Sequence, residues 1–504
     1  MAAGAVTAKR VGRGTRGRRV GQYATPPAVA HFMASLFEAD RKEIALLDPG
    51  AGAGALTEAF VSEMCGRRPA PERLRVVAYE CDGALVQHLR RTLERCERQC
   101  RGNGVAFSAE VIAGDFLRDA AQSLRGSLLG AGRRFDCVIT NPPFAKIRAD
   151  SSARHWLRSL GTEVSNLYAG FLAAALALLT PSGELVAITP RSFCSGAYFR
   201  AFRAQLLGAV GIRHLHLFES RHAPFGGDGV LQESLITHLV RPADRGGMVR
   251  VAVGDHPAAG ATWWRPVPYD RVVRPGDPAQ VIHIPGAPGD DDDAALMGNF
   301  RSPLWALGLD VSTGRVVEFR ARDHLAPPGA SGAVPLIGPS NCRRGAVVWP
   351  VPGTRPQGIR IAAAADGLLV PAETYVLVRR FSAKEERRRI VAAVYAPASG
   401  EGRVGFENHL NYFHAAGRGI RPMLAAGLSA FLNSGLVDRF FRQFSGHTQV
   451  NAGDLRALGY PSALQLEALG RACASGLPEP AALDEELARM ARCACPELRD
   501  VPCG

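Results

Sequence analysis

Long apolar runs are missing from this chain. None reaches the ~18 residues that a membrane-crossing helix needs, so a helical membrane protein is not expected. The basic start, with Lys9, Arg10, Arg13, Arg16, Arg18 and Arg19, is followed by no apolar stretch and does not read as a secretory signal. A disulfide pattern is missing too. The 11 cysteines (Cys65, Cys81, Cys96, Cys100, Cys137, Cys194, Cys342, Cys473, Cys493, Cys495 and Cys503) are odd in number and scattered, which fits reduced cytosolic thiols. Cys493 and Cys495 lack a second ligand pair at zinc-finger spacing, so no metal site is expected. There is no internal repeat. Lysine is scarce, only Lys9, Lys42, Lys146 and Lys384, so arginine carries most of the net charge of +13. That excess favours a polyanionic partner. Abundant Arg, Ala and Gly also read as a GC-rich coding bias, which weakens the inference.

What is present is a soluble-type composition, 47% hydrophobic and 21% charged, over 504 residues, enough for two to four domains. From Ile44 to about Val240, short apolar runs alternate with helical patterns. The runs are Ile44–Asp48, Val76–Glu80, Val111–Ala113, Phe135–Thr140, Glu184–Thr189, Ile212–Phe218 and Ser234–Leu239, with helices such as Ala55–Met64 and Asn166–Leu179 between them. This predicts an α/β fold with a doubly wound, mostly parallel seven-stranded sheet, and the short connection between the last two strands permits an antiparallel pair at one edge. The expected layout is a basic unordered arm (1–20), a catalytic domain (21–245), a connecting region and linker (246–298), an α+β domain (299–461) and a helical tail (462–504). The run Gly289-Asp290-Asp291-Asp292-Asp293 reads as solvated linker.

The first strand runs into Asp48-Pro49-Gly50-Ala51-Gly52-Ala53-Gly54. Glycines there allow a sharp turn and close approach to a ligand, a device shared with dinucleotide enzymes. Asp48 shifts the balance: a carboxylate repels a pyrophosphate but suits a ligand carrying a sulfonium and an amino group. Glu80, ending the second strand, can accept two ribose hydroxyls. Asp115, after the third, can accept an adenine amine while Phe116 supplies a stacking face; a helix cap and a core aromatic are their alternative roles. Upstream, in Gly21-Gln22-Tyr23-Ala24-Thr25-Pro26-Pro27, Thr25 can cap the next helix with Pro26 at its first position.

The fourth strand leads to Asn141-Pro142-Pro143-Phe144. Two prolines stiffen the turn and remove two amide donors. The Asn141 oxygen and the Pro142 carbonyl then stand as paired acceptors. A ring-conjugated amine is a poor nucleophile, and two acceptors on its hydrogens localise its lone pair. Phe144 can stack on the ring. No covalent enzyme intermediate is needed.

These motifs resemble the gamma class of DNA adenine methyltransferases from bacterial restriction–modification systems, with a TaqI-like catalytic half. The resemblance is close over Gly21 to about Val240 and loose beyond. It implies S-adenosylmethionine as cofactor, held by Thr25 at the methionine carboxylate, Asp48 and Gly50, Ala51 and Gly52 at the turn, Glu80 at the ribose and Asp115 and Phe116 at the adenine. Asn141, Pro142, Pro143 and Phe144 form the catalytic loop, and Phe225, in Glu219–Asp228, would close a sandwich on an extruded base. His222 reads as a local hydrogen-bonder. The resemblance further implies double-stranded DNA as substrate, a monomer in the bacterial cytoplasm, at the nucleoid when bound to DNA, and a separate cognate restriction endonuclease. In the C-terminal half, Val311–Gly314, Leu336–Asn341 and Phe444–Asn451 resemble target-recognition elements. Arg379, Arg380, Lys384, Arg387, Arg388 and Arg389 are candidate phosphate contacts, and Asn451 with Asp454 a helix cap. Protein-glutamine methyltransferases share the Asn-Pro-Pro loop, so an RNA or protein substrate stays open at this level. So do an inactive DNA-binding protein and, more weakly, a nicotinamide enzyme.

Overall fold

The computed structural model describes residues 23–126, 133–220, 223–225, 233–244, 246–255, 264–287, 289–353, 356–361, 363–382, 386–397, 402–446, 448–474 and 476–493. The basic arm 1–20, Gly21 and Gln22, His222, the Gly226–Asp228 stretch, Lys384, His447, Cys495 and Cys503 lie outside them. Among the described residues no helix is long and apolar enough to cross a membrane, and no cluster of side chains could hold a metal ion.

The chain divides into two compact units, residues 1–189 with 222–230, and 190–221 with 231–504. The first contains α1 (Pro27–Ser35), β1 (Glu43–Pro49), α2 (Ala55–Gly66), β2 (Arg73–Glu80), α3 (Gly83–Gly102), β3 (Ala106–Ala113), α4 (Phe116–Gly126), β4 (Phe135–Thr140), α5 (Ser152–Ser159), α6 (Leu167–Ala177) and β5 (Leu179–Pro190). Its strands run in the order β3-β2-β1-β4-β5 and all pair in parallel. Parallel strands covered on both faces read as continuous apolar runs, and β1 is buried from Ile44 to Pro49. The order reverses at β1, so the crevice above β1 and β4 is where such a sheet binds ligands. Helix α3 is amphipathic, burying Val86, Leu89, Leu93 and Cys96, and Asp82 caps it by accepting from the Ala84 amide at 2.9 Å.

The second unit carries α7 (Arg200–Ala209), β6 (Gly211–Leu217), β7 (Ser234–Val240), β8 (Met248–Val253) and β9 (Trp264–Pro268). β6 pairs antiparallel with β7, as expected, but not at an edge: β8 and β9, two strands beyond the expected seven, continue the sheet past β6 by backbone pairing. The same unit holds a six-stranded sheet centred on Tyr375–Arg379, a five-stranded sheet around Ala333–Ile337, and helices at Pro422–Leu432, Gly435–Arg442, Ala463–Ala472 and Pro480–Cys493. Helices 422–432 and 463–472 meet at glycines: a Cβ on Gly427 would overlap the Leu466 carbonyl.

Two expectations, on the acidic run and on Arg389, are corrected here. The acidic run is not solvated linker. Residues Asp290–Gly298 form a helix with Gly289 as its left-handed cap, so four carboxylates face the positive end of the helix dipole. Asp293 accepts from Arg439 at 2.6 and 2.9 Å, and Asp291 pairs with Arg265. Arg389 is no phosphate contact: it is buried against Ser382 and Ser445. Asn341 is buried and bonded to Gln357 and the Val348 carbonyl, a structural role. Asn451 and Asp454 do form a capping box.

Candidate active site

The glycine turn after β1 is held from both sides. The amides of Gly50 and Ala51 donate to the Tyr79 carbonyl at 3.0 and 2.8 Å. The Gly52 amide donates to Glu80 Oε2 at 2.9 Å, and the Asp82 amide to Glu80 Oε1 at 2.8 Å. Buried Glu80 therefore shapes the turn as well as facing the cavity. The turn needs left-handed backbone at Gly50 (φ +83°), Gly52 (+59°) and Gly54 (+91°), which only glycine adopts without strain.

A cavity of about 760 Å³ opens above this turn. Its walls come from Gly50–Gly52, Glu80 after β2, Asp115 and Phe116 after β3, and Asn141 and Pro143 after β4, with Tyr23 and Thr25 from the segment before α1. The volume suits a cofactor-sized ligand. Asp48 does not line it. It is buried beneath the turn, where Oδ2 accepts the Thr57 hydroxyl at 2.7 Å and Oδ1 has no hydrogen-bond partner among the described residues. Burial pushes its pKa up to about 7; the Thr57 bond opposes this and the charge of Glu80 adds to it. An orphaned buried carboxylate oxygen under a glycine turn is suited to a cationic ligand, so the residues fit a sulfonium cofactor.

Asp115 is a helix cap that also faces the cavity. Oδ1 accepts from the Leu117 and Arg118 amides at 2.9 and 3.5 Å, capping α4, and the residue lines the cavity. Phe116 is buried, 5.3 Å from Tyr79 and from Phe171, and likewise lines the cavity. Thr25 is not the cap of α1. Pro26 holds that position and Pro27 opens the helix, because Pro26 is extended at φ −62°, ψ 148°. The Thr25 hydroxyl instead accepts from Asn141 Nδ2 at 3.0 Å, and the Tyr23 carbonyl accepts from the same nitrogen at 2.9 Å.

Buried Pro142 and half-buried Phe144 follow the acceptor but do not line the cavity. Phe144 and Phe225 come together, yet not as a sandwich. Their rings are 5.9 Å apart and inclined at 73°, whereas a base between parallel faces needs roughly 7 Å, twice the ~3.5 Å carbon contact. Tyr23 is the third ring of the group, 5.6 Å from Phe144 and 5.3 Å from Phe225. Tyr23 and Phe171 were missed by the sequence reading. Tyr23 carried a signal in standing two residues before Thr25; Phe171 carried none, being one apolar residue in a buried helix.

The chain matches the family described as Eco57I restriction-modification methylase over residues 90–225. It is 39% identical over 473 residues to the type II methyltransferase M.PstI of Providencia stuartii, covering 93% of this chain and 92% of that protein. It is 38% identical over 457 residues to the type II methyltransferase M.BsuBI of Bacillus subtilis, covering 90% and 89%. Among solved structures, a nuclease-deletion mutant of the Type ISP restriction-modification enzyme LlaGI, in complex with a DNA substrate mimic, aligns with a TM-score of 0.50 at 10% identity over 90% of this chain and 54% of that one. At that identity the likeness speaks for the fold alone. With identity of this level sustained along nearly its whole length, and a glycine turn and an Asn-Pro-Pro-Phe loop opening on one cavity, the chain belongs to the family of type II restriction-modification methyltransferases.

Proposed function

We propose that this protein transfers a methyl group from S-adenosylmethionine to the exocyclic amine of an adenine flipped out of duplex DNA. In that role it would protect host DNA from a separate cognate endonuclease, acting as a monomer in the bacterial cytoplasm. The observation that carries the reading is that one cavity is lined both by the glycine turn and by Asn141 and Pro143.

The cofactor supplies an electrophilic methyl group on a positive sulfur. The chain's own residues prepare the acceptor. Asn141 Oδ1 and the Pro142 carbonyl would accept hydrogen bonds from the two amine hydrogens, turning the nitrogen lone pair towards the methyl group that the bound cofactor would supply. Its sulfur would be the leaving group, so no residue of the chain need form a covalent bond. The methylated amine then sheds one proton to water. Phe144 has no ionisable group, so it contributes ring contact and no acid–base step. Glu80 and Asp115 would hold the cofactor's ribose and adenine, while Asp48, buried beneath the turn, would act on its cationic end through charge alone. Phe225 and Tyr23 pack against Phe144, so base entry requires these rings to part.

Tritium transfer from labelled cofactor to duplex DNA, to RNA and to protein tests the substrate class. Label is expected in DNA alone; label only in RNA or protein would transfer the same chemistry to the rival substrate, and no label at all would favour an inactive DNA-binding protein. Base-resolved methylation mapping of DNA from expressing cells should show modified adenines at one recurrent sequence. Asn141→Ala should lower transfer by about 10³-fold or more, the scale of removing a group that acts in the transition state.

A further inference from the structure

We infer that Thr25 is a positioning residue for Asn141: its hydroxyl, acting with the Tyr23 carbonyl, holds the direction of the amide that receives the substrate amine. The inference rests on the proposed methyl transfer and deepens it. A primary amide has two N–H donors and one acceptor oxygen. Nδ2 of Asn141 faces the Tyr23 carbonyl at 2.9 Å and the Thr25 Oγ1 at 3.0 Å. A carbonyl can only accept, so the nitrogen must be on that side and the amide cannot be flipped. With both hydrogens directed into the Tyr23–Thr25 segment, Oδ1 is the part of the amide left for the substrate, and no hydrogen bond to Oδ1 is found among the described residues.

The segment is a stiff support. Pro26 restricts Thr25 to extended backbone, and the Pro26 carbonyl accepts from the Ala30 amide at 3.0 Å, anchoring the segment to α1. On the other side Pro142 and Pro143 offer no amide hydrogens to compete. The Thr25 hydroxyl spends one lone pair on Asn141 and keeps its own proton. Since Thr25 also lines the cofactor cavity, that proton is available to an anionic group of the cofactor, so one side chain can serve both partners of the reaction.

The test compares Thr25→Val, which keeps the shape and loses the hydroxyl, with Thr25→Ser, which keeps the hydroxyl. Transfer is measured in single turnover with saturating labelled cofactor on unmethylated plasmid DNA from a methylation-deficient host, and cofactor affinity by calorimetry. A misdirected acceptor should lower the saturated rate of the Val variant by about 10–100-fold, with Ser within about threefold of the parent. Crystal structures of parent and Val variant without cofactor should show Asn141 turned away from Tyr23 only in the variant. If Val does not fold, Thr25→Ala replaces it. A Val variant that keeps the parent's saturated rate and loses only cofactor affinity overturns the inference, as does a Ser variant as slow as Val, or an unmoved Asn141. A parent enzyme that labels nothing would sink the proposed function instead, leaving the crystallographic arm to judge Thr25.

Discussion

Single side chains in this site do two jobs each, and that makes their substitutions informative. Glu80 accepts two backbone amides while facing the cavity. Glu80→Gln keeps one acceptor and turns an amide donor against a backbone N–H. Cofactor affinity should fall by about 10–100-fold, read by calorimetry, with a stability loss of about 1–3 kcal/mol from the unmatched buried group. Asp48 has a pKa pushed up to about 7 by burial. In the folded state it holds a proton that the unfolded chain has released above about 4. The folded form therefore binds more protons across that window, and stability at this group is greatest below pH 4 and lost as the pH rises through 7. Urea unfolding at pH 5, 6, 7 and 8 should show the parent losing on the order of 1 kcal/mol per unit up to pH 7 relative to Asp48→Asn, and levelling off by pH 8; equal slopes would reject the shift. The cap at Asp115 was legible in the sequence beside its reading as an adenine acceptor, because both need the same residue in the same place.

At the scale of elements, the turn between β1 and α2 and the β6–β7 pair are the exposed points of the design. Gly54 has no room for a side chain: a Cβ would sit 2.9 Å from Leu89 and 3.0 Å from Thr92, at φ +91°. Gly52 has open space around it and only its φ of +59° to constrain it. Gly54→Ala should cost about 2–4 kcal/mol and Gly52→Ala about 1–2, by denaturant midpoint. On β6, His214 lies opposite His238 of β7. Burial pulls His214 down to about 3 and His216 to about 4. Both stay neutral in the folded chain while the unfolded chain takes up protons below 6.5. Stability from these two is complete above pH 6.5 and is lost as pH falls towards 4, on the order of 1 kcal/mol per histidine per unit. Replacing both with Gln should flatten that acid limb. Element type was legible wherever buried strands alternate with amphipathic helices. Boundaries were less so: β3 begins at Ala106, five residues before the reading from Val111, since its exposed polar positions hide the start.

Across the whole molecule, the second unit is tied internally by buried arginines. Arg191 donates to Glu233 at 2.9 Å and to the Arg442 and Gln443 carbonyls at 2.8 and 2.6 Å, linking chain positions 250 residues apart. Arg191→Met strips Glu233 of its guanidinium and should destabilise by about 3–5 kcal/mol, whereas Arg191→Met with Glu233→Gln should recover much of that, measured by thermal and urea unfolding. The sequence by itself determined the α/β class, the succession of the first seven strands along the chain, the glycine turn and the Asn-Pro-Pro-Phe loop, because each depends on local periodicity or on residues adjacent in the chain: apolar runs, glycines at a strand end, two prolines after an asparagine. Only the tertiary structure decided the rest. It turned the acidic run into a helix start, since Arg265 and Arg439 come from elsewhere to meet it. It drew Tyr23 and Thr25 onto Asn141, more than a hundred residues away, and set Phe144 and Phe225 edge to face. Pairings of that separation are chosen by packing and by which donors find acceptors, and neither is written in any window of neighbouring residues.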